Sequence, residues 1–331
     1  QADWLVGMNA TRAYTTKYFK KLTVGRVQTP TLAMLVERAG QISNFQKEKY
    51  FNVELDCDGI PAVKSKIFDP DEAEQLRSRC QGSEAIVTAV KEAEKKVKAP
   101  KLYDLTTLQR EANRIYGMTA KQTLDTAQSL YEKKLITYPR TDSQYLTEDM
   151  EQTARNVVRQ IYEKYQLTGP FDQPEQPDVK KVMNNSKVTD HHAIIPTMEL
   201  TSCHMDELKS WEEKILFLIA VHTVMAMSKD HIYQETEIEV ECQGEIFKAK
   251  GRTVLQDGWK LFENCFKNKD RMAIVDPDQE MKERMPKVTQ GQTFYAVAAE
   301  KTEHFTSPPK PYSDVIFCER KEWIGIEERS S

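Results

Sequence analysis

The sequence has no apolar run approaching the roughly 18 residues that a membrane-crossing helix needs, and it opens with no signal peptide. Neither a membrane protein nor a secreted one is expected. No Cys-x-x-Cys pair occurs: Cys57, Cys80, Cys203, Cys242, Cys265 and Cys318 are scattered singly. That pattern argues against a zinc ribbon and against a disulfide framework, leaving ordinary cytoplasmic thiols. Cys203-His204 is a two-ligand cluster, too small to make a metal centre by itself, so no metal site is expected in this chain. Internal repeats and low-complexity tracts are absent, and there is no basic excess, the net charge being −4. The chain does not begin with Met. Gln1-Ala2-Asp3-Trp4-Leu5 already reads as helix, and the natural chain is expected to start earlier.

What is present fits a soluble protein of two or three domains: 331 residues, 30% of them charged and 39% hydrophobic. The distribution of charge says more than its sum. Residues 1–50 hold eight Lys/Arg against three acids, a surplus of +5, whereas residues 200–245 hold three Lys against ten acids, −7. One end is suited to phosphates; both runs are equally compatible with solvated faces.

Periodicity divides the chain. Residues 1–47 read as helix, a turn at Thr23-Val24-Gly25-Arg26-Val27-Gln28, and a second helix with Thr29 as N-cap and Pro30 at its first position. Leu32, Leu35, Val36 and Ala39 form that helix's apolar face and Gly40 its predicted end. From residue 50, Phe51, Val53, Leu55 and Cys57 alternate with polar residues as a half-buried strand does. Asp69-Pro70-Asp71-Glu72 opens a short helix through Leu76, and residues 85–90 suggest another strand. Residues 100–228 return to helix. Capping-box patterns appear at Thr106 to Gln109 and Thr119 to Gln122, the second leading a stripe of Ala120, Leu124, Ala127 and Tyr131. A further helix carries Met150, Ala154, Val157, Val158 and Ile161; a proline-rich linker at 168–178 and a helix from Trp211 to Met227 complete the block. Residues 236–242 and 245–249 then read as a hairpin across Gln243-Gly244, with strands at 254–255 and 293–297 after it. The expected architecture is multidomain α+β, a β-rich domain split by a helical insertion.

Chemistry concentrates at Leu135-Ile136-Thr137-Tyr138-Pro139-Arg140-Thr141-Asp142-Ser143. Pro139 biases Tyr138 toward extended backbone, in which residues i and i+2 project together, so Tyr138 and Arg140 share a side. A phenol with a pKa near ~10 is a poor nucleophile. A neighbouring guanidinium can grip a phosphate and offset the charge that develops in phosphoryl transfer. Such a pair suits an enzyme that forms a phosphotyrosine bond, though Tyr-x-Arg alone also fits a plain surface pair. The turn at 23–28 delivers Arg26 and Gln28 to a helix N-terminus, where free N–H groups favour an anion, and Gly25 permits close approach. Met8, Arg12 and Thr15 share one face of the preceding helix.

Three stretches carry a family resemblance, in the family's order. Ile136 to Ser143 resembles the active-site segment of type IA DNA topoisomerases, its proline that of the bacterial topoisomerase III branch. Thr23 to Pro30 is similar to that family's Ser-Val-Gly-Arg-Val-Gln-Thr-Pro stretch, with Thr for Ser, and Asp190-His191-His192-Ala193-Ile194-Ile195-Pro196-Thr197 resembles its histidine motif. Gly251-Arg252 through Asp257-Gly258-Trp259 is similar too, without catalytic implication. The resemblance implies an ATP-independent isomerase that cleaves one DNA strand through a 5′-phosphotyrosyl link, passes another through the gap and reseals it. Tyr138 would be the nucleophile, Arg140 would hold the scissile phosphate and His191 would bond to phosphate. Thr23, Val24, Gly25, Arg26, Val27 and Gln28 would contact single-stranded DNA, joined by Asp3, Met8, Arg12 and Thr15.

The same resemblance implies a toroid body. Residues 1–47 would begin a basic base module, 48–99 and 229–305 would form a split β-rich arch, 100–228 the inserted helical domain bearing the tyrosine, and 306–331 an atypical return to the base. The family's Toprim domain, whose acids bind Mg2+, has no match: Asp56-Cys57-Asp58 lacks a third acid and Asp276-Pro277-Asp278 reads as loop. Mg2+ is therefore expected only in a complete enzyme, and this chain alone is expected not to cleave. Expected partners are single-stranded and negatively supercoiled DNA, for a monomer in the bacterial cytoplasm, associated with the nucleoid. The competing expectation is a non-catalytic single-strand-binding scaffold.

Overall fold

Alternation builds the sheet. In β1 (Lys49–Cys57) Phe51, Val53, Leu55 and Cys57 are buried while Glu54 and Asp56 face outward. Asp58-Gly59, both at positive φ, turns the chain into β2 (Ile60–Ile67), a strand the periodicity did not single out. The computed structural model describes residues 2–25, 28–167, 177–263 and 286–312. Within it α1 (Ala2–Tyr18) and α2 (Gln28–Ser43) precede β1. After β2 come α3 (Pro70–Cys80), β3 (Ala85–Val97), α4 (Leu105–Tyr116), α5 (Ala120–Glu132), α6 (Glu151–Tyr165) and α7 (Ser210–Ala226). The strands β4 (His231–Cys242), β5 (Glu245–Gln256), β6 (Thr293–Phe294) and β7 (Ala298–Phe305) follow.

Seven strands form one sheet in the order β6-β3-β4-β5-β2-β1-β7. The Gln243-Gly244 hairpin is present, both turn residues at positive φ. Residues 254–255 continue β5 and are no separate strand, and β6 stops at Phe294. Many acids of the 200–245 run lie on β4, where Lys250 pairs with Glu237 and Lys248 with Glu239, each at 3.3 Å. Opposite charges facing each other across the ladder thus pair two of that run's ten acids. The helix α3 opens where expected, capped by Asp69, whose carboxylate accepts the Asp71 and Glu72 N–H groups, but continues to Cys80 and buries Ala73, Leu76 and Cys80 on the sheet. Burial pushes the Cys57 thiol up to about 11, aided by Asp56 and Asp58, and the Cys80 thiol to about 12. Both are protonated core groups.

The chain forms two compact units, one comprising the chain up to Tyr50 together with the stretch from His304, the other Phe51–Glu303. In the first, Arg38 of α2 stacks 4.4 Å over the Tyr312 ring and donates to the Lys310 carbonyl at 3.0 Å. The predicted apolar stripe of α2 exists, yet Leu32, Leu35 and Val36 stand exposed; the helix runs through Gly40 to Ser43 and begins at Gln28, placing Thr29 inside it. In the second unit the helical stretch has its own apolar cluster, distinct from that under the sheet. At its centre α7 is buried nearly all round, with α4, α5 and α6 packed against it. Thr119 and Gln122 make the expected capping box on α5, but α4 is capped by Asp104 with Thr107 as its partner, not by Thr106. A carboxylate accepting two bonds from Thr107, each 2.7 Å, outcompetes the hydroxyl two residues later. In α5 the buried side chains are Thr123, Ala127 and Leu130, a face rotated from the predicted stripe. Most of the predicted 168–178 linker lies outside the described residues, as does Asp276-Pro277-Asp278.

Helical stretch and sheet meet at Lys229–His231. Asp230 receives the Ala99 N–H at 3.0 Å and pairs with Lys96 at 3.1 Å and Lys181 at 3.6 Å. Trp259 donates its N–H to the Lys229 carbonyl at 2.9 Å and its indole N–H to Val97 at 3.2 Å. Gly258 makes this approach possible: its φ is +55, and a Cβ there would stand 2.3 Å from the Asp230 carbonyl oxygen. Gly258→Ala is expected to cost at least about 2 kcal/mol, from left-handed backbone and clash together, read as a lowered denaturation midpoint.

Candidate active site

The tyrosine segment starts where α5 ends. Lys134, at φ +60, reverses the chain, with Leu135 N–H bonded to Leu130 O at 2.9 Å and Lys134 N–H to Tyr131 O at 2.8 Å. These two bonds close the helix and aim the next residues. One turn earlier, buried Glu212 of α7 accepts from Lys133 Nζ and Ser129 Oγ, both at 2.7 Å, and from Lys209 N–H at 2.8 Å. The end of α5 is thus tied to the start of α7.

From Leu135 the chain lies against residues 191–197. Thr137 N–H donates to Ile195 O and Thr197 N–H to Leu135 O, each at 3.0 Å. The Thr137 hydroxyl donates to Ala193 O and accepts the Ile195 N–H, also at 3.0 Å each. Thr141 Oγ1 donates to His191 O at 3.0 Å, and Ala193 N–H to Tyr145 O at 2.9 Å. Tyr103 O accepts Ile194 N–H at 2.8 Å from a third segment. Ile136, Leu146, Ile194 and Ile195 are buried beneath this ladder, so its polar bonds are shielded from water.

Tyr138 is half-buried. Its ring centroid is 4.3 Å from that of His191 at an interplanar angle of 45°, and 5.4 Å from Tyr131, edge-on at 76°. Pro139 is buried, and Arg140 beyond it is exposed, its guanidinium without a hydrogen-bond or ion-pair partner among the described residues. His192 turns to the backbone, its Nδ1 2.8 Å from Ala193 O, whereas the His191 ring goes to Tyr138. The arrangement offers a phenol packed between two rings, an imidazole beside it and an uncommitted cation nearby. Such a group of residues can receive a phosphodiester. Among the described residues no group of three or more His, Cys, Asp or Glu is placed to hold a metal ion.

The 23–28 turn belongs to the first unit. Thr11 Oγ1 accepts Val24 N–H at 3.0 Å and Thr15 Oγ1 accepts Leu22 N–H at 3.3 Å, so Thr15 pins the loop rather than offering a free hydroxyl. Gly25 N–H donates to Thr29 Oγ1 at 3.1 Å. Thr23, Gln28, Met8 and Arg12 are exposed, Val24 and Gly25 half-buried. Asp3 falls in α1 with its side chain undescribed, and Arg26 and Val27 lie outside the described residues. The sequence assigns no site role to Thr11, Thr137, Thr141 or Tyr131; the two threonines near Tyr138 are visible in its motif, but their partners are not.

A family model described as DNA topoisomerase matches residues 1–319 of this chain. The chain belongs to the type IA DNA topoisomerase family. It is 37% identical over 330 residues to DNA topoisomerase 3 of Bacillus licheniformis, covering 95% of this chain and 44% of that protein. It is also 37% identical over 326 residues to DNA topoisomerase 3 of Bacillus subtilis, with the same coverage of each. Full-length topoisomerase I from Thermotoga maritima superposes with a TM-score of 0.70 at 25% identity, covering 98% of this chain and 52% of that one. The chain spans under half the length of the curated relatives it matches. No helix among the described residues is long and apolar enough to cross a membrane.

Thr137→Val removes a hydroxyl that serves two buried backbone groups, and is expected to cost about 1–3 kcal/mol in chemical denaturation. Glu212 carries a pH dependence. Burial opposes its ionisation, but the bonds from Lys133, Ser129 and Lys209 N–H outweigh it and hold the carboxyl at about 2 against an ordinary 4.5. A depressed folded pKa contributes stability that is present above about 4.5 and lost as pH falls toward about 2. Denaturation of wild type across that window should show a steeper loss than Glu212→Gln.

Proposed function

We propose that this chain carries the nucleophile half of a type IA topoisomerase reaction. Tyr138 Oη attacks a phosphodiester of one DNA strand, forming an O–P bond to the 5′-phosphate, while the bond to the 3′-oxygen breaks. The phenolic proton is lost and the 3′-oxygen leaves protonated. Attack of that 3′-hydroxyl on the phosphotyrosine, with the proton returned to the phenol, reseals the strand. Arg140 binds the phosphate as charge develops on it, and His191 orients the phenol and donates to a phosphate oxygen. The observation that carries this reading is the packing of Tyr138 against His191 by backbone and threonine bonds, with Arg140 left free. Mg2+ would be held outside the described residues and would supply charge compensation at the phosphate. Strand passage between the cleaved ends, on negatively supercoiled DNA in the bacterial cytoplasm, is the role of the complete protein. We retain the division into a base module, a split β-rich arch and an inserted helical domain as the frame for that movement.

By itself the chain is then a single-strand-binding body that does not cut. It should bind a single-stranded oligonucleotide with an affinity that falls as salt rises, and give no covalent adduct with Mg2+. Magnesium-dependent nicking by the chain alone would overturn that part. In the full-length protein Tyr138→Phe should abolish denaturant-resistant capture of a 3′-labelled strand, the fragment whose 5′-phosphate the tyrosine would hold. Capture that survives the substitution would show that another residue is the nucleophile.

A further inference from the structure

Three side chains from separate segments converge beside this site without a role in it. Lys101 Nζ stands 5.6 Å and Lys187 Nζ 5.0 Å from the centroid of the Tyr145 ring. Both lysines are exposed, and neither has a carboxylate partner among the described residues. A cation–π contact at exposed positions is weak, so the ring gathers the two ammonium groups without neutralising either, and both keep their charge for an anion.

The backbone under these side chains is fixed. Ser143, 4% exposed, donates its hydroxyl to Lys187 O at 2.8 Å and accepts Tyr145 N–H at 3.2 Å. Lys101 O accepts the Nε2–H of His222 at 2.7 Å, and that imidazole stacks 3.6 Å from the Tyr103 ring. Burial pulls the His222 pKa down to about 4, so it is neutral at physiological pH and adds no charge of its own. Tyr145 O in turn holds Ala193 N–H, two residues from His191. The lysines are therefore anchored to the frame that positions Tyr138.

We propose that Lys101 and Lys187, gathered on the Tyr145 ring, form a second phosphate-binding site, which engages a backbone phosphate of the bound strand other than the one Tyr138 attacks. The proposal rests on the reading that this chain binds single-stranded DNA. It assigns Tyr145 the task of holding two cations rather than of stacking a base, so the contact is independent of sequence.

The test is fluorescence anisotropy with a labelled single-stranded oligonucleotide of about 20 nucleotides, titrated over a range of salt. The double variant Lys101→Gln/Lys187→Gln should bind about 5- to 20-fold more weakly at low salt, with the logarithmic salt slope reduced by about 0.7 to 1.4. Tyr145→Phe keeps the ring and should bind as wild type; Tyr145→Leu should weaken binding although both lysines remain. Lys121→Gln, an exposed charge at the start of α5, should leave affinity nearly unchanged. The proposal fails if the double variant keeps wild-type affinity and slope, or if Lys121→Gln weakens binding equally, which would make the effect one of net charge. If the wild-type chain binds no strand at all, the DNA-binding reading itself falls, and this site with it. Both lysines are solvent-facing and the Gln side chains leave the backbone bonds intact, so folding of the double variant is checked simply by its unchanged thermal transition.

Discussion

The Thr137 hydroxyl is the contact on which the candidate site depends. It donates to Ala193 O and accepts from Ile195 N–H, so one small side chain satisfies both senses of backbone pairing on a segment more than fifty residues away. Two irregular stretches joined by a single antiparallel bridge, Ile136 with Pro196, would otherwise bury the Ile195 amide unpaired, a cost that backbone groups in an apolar setting do not tolerate. Thr141 repeats the device on His191 O. Together they bring Tyr138 and His191 to ring contact without any direct bond between the two side chains. The rings' own attraction is modest; the register of the two segments is what places them.

Rigidity behind this ladder comes from helices. Buried α7 fixes α5 through Glu212, and α5 ends in a closed turn that launches the tyrosine segment. A site on loops is only as well positioned as the elements at their roots. Here the roots are a helix end saturated with hydrogen bonds on one side and the Asp104-capped start of α4, whose Leu105 N–H donates to Thr141 O at 3.0 Å, on the other. The exposed parts of the site, Arg140 and His191, are side chains on a backbone that has little freedom to move.

Features set by neighbouring residues could be read from the sequence. The Gln243-Gly244 hairpin, the alternation of β1, the Asp69 cap and the Thr119 capping box each depend on a few adjacent positions. Competition between local signals was harder. Asp104 displaced Thr106 as the cap of α4 because a carboxylate is the stronger acceptor, and the buried face of α5 turned toward Thr123 and Leu130 because α4 and α7 decide which side is inside. The strand β2 is hard to see in the sequence although Asp58-Gly59 is a hairpin signal, because Lys64 and Lys66 dilute its alternation. Nothing in one dimension pairs Thr137 with Ala193, or sets Lys101 and Lys187 on one tyrosine. Those juxtapositions are products of packing.

Net charge also misleads when read as a sum. A total of −4 argues against a polyanion as partner only if the acids are free to repel it. On the sheet many are not: Glu237, Glu239 and Glu245 face Lys250, Lys248 and Lys64, and Glu74 holds both Arg77 and Lys301. Around Tyr138 the pairing differs: Arg140, Lys101 and Lys187 have no ion-pair partner among the described residues. The two charges of an ion pair largely cancel at a distance, whereas an unpaired cation on a fixed frame attracts a phosphate that reaches it, an attraction that salt screens over about 10 Å. An acidic protein can thus present a locally cationic surface at the residues we assign to the DNA strand. The segregation of paired from unpaired charge is the property that makes its overall sign irrelevant to that assignment.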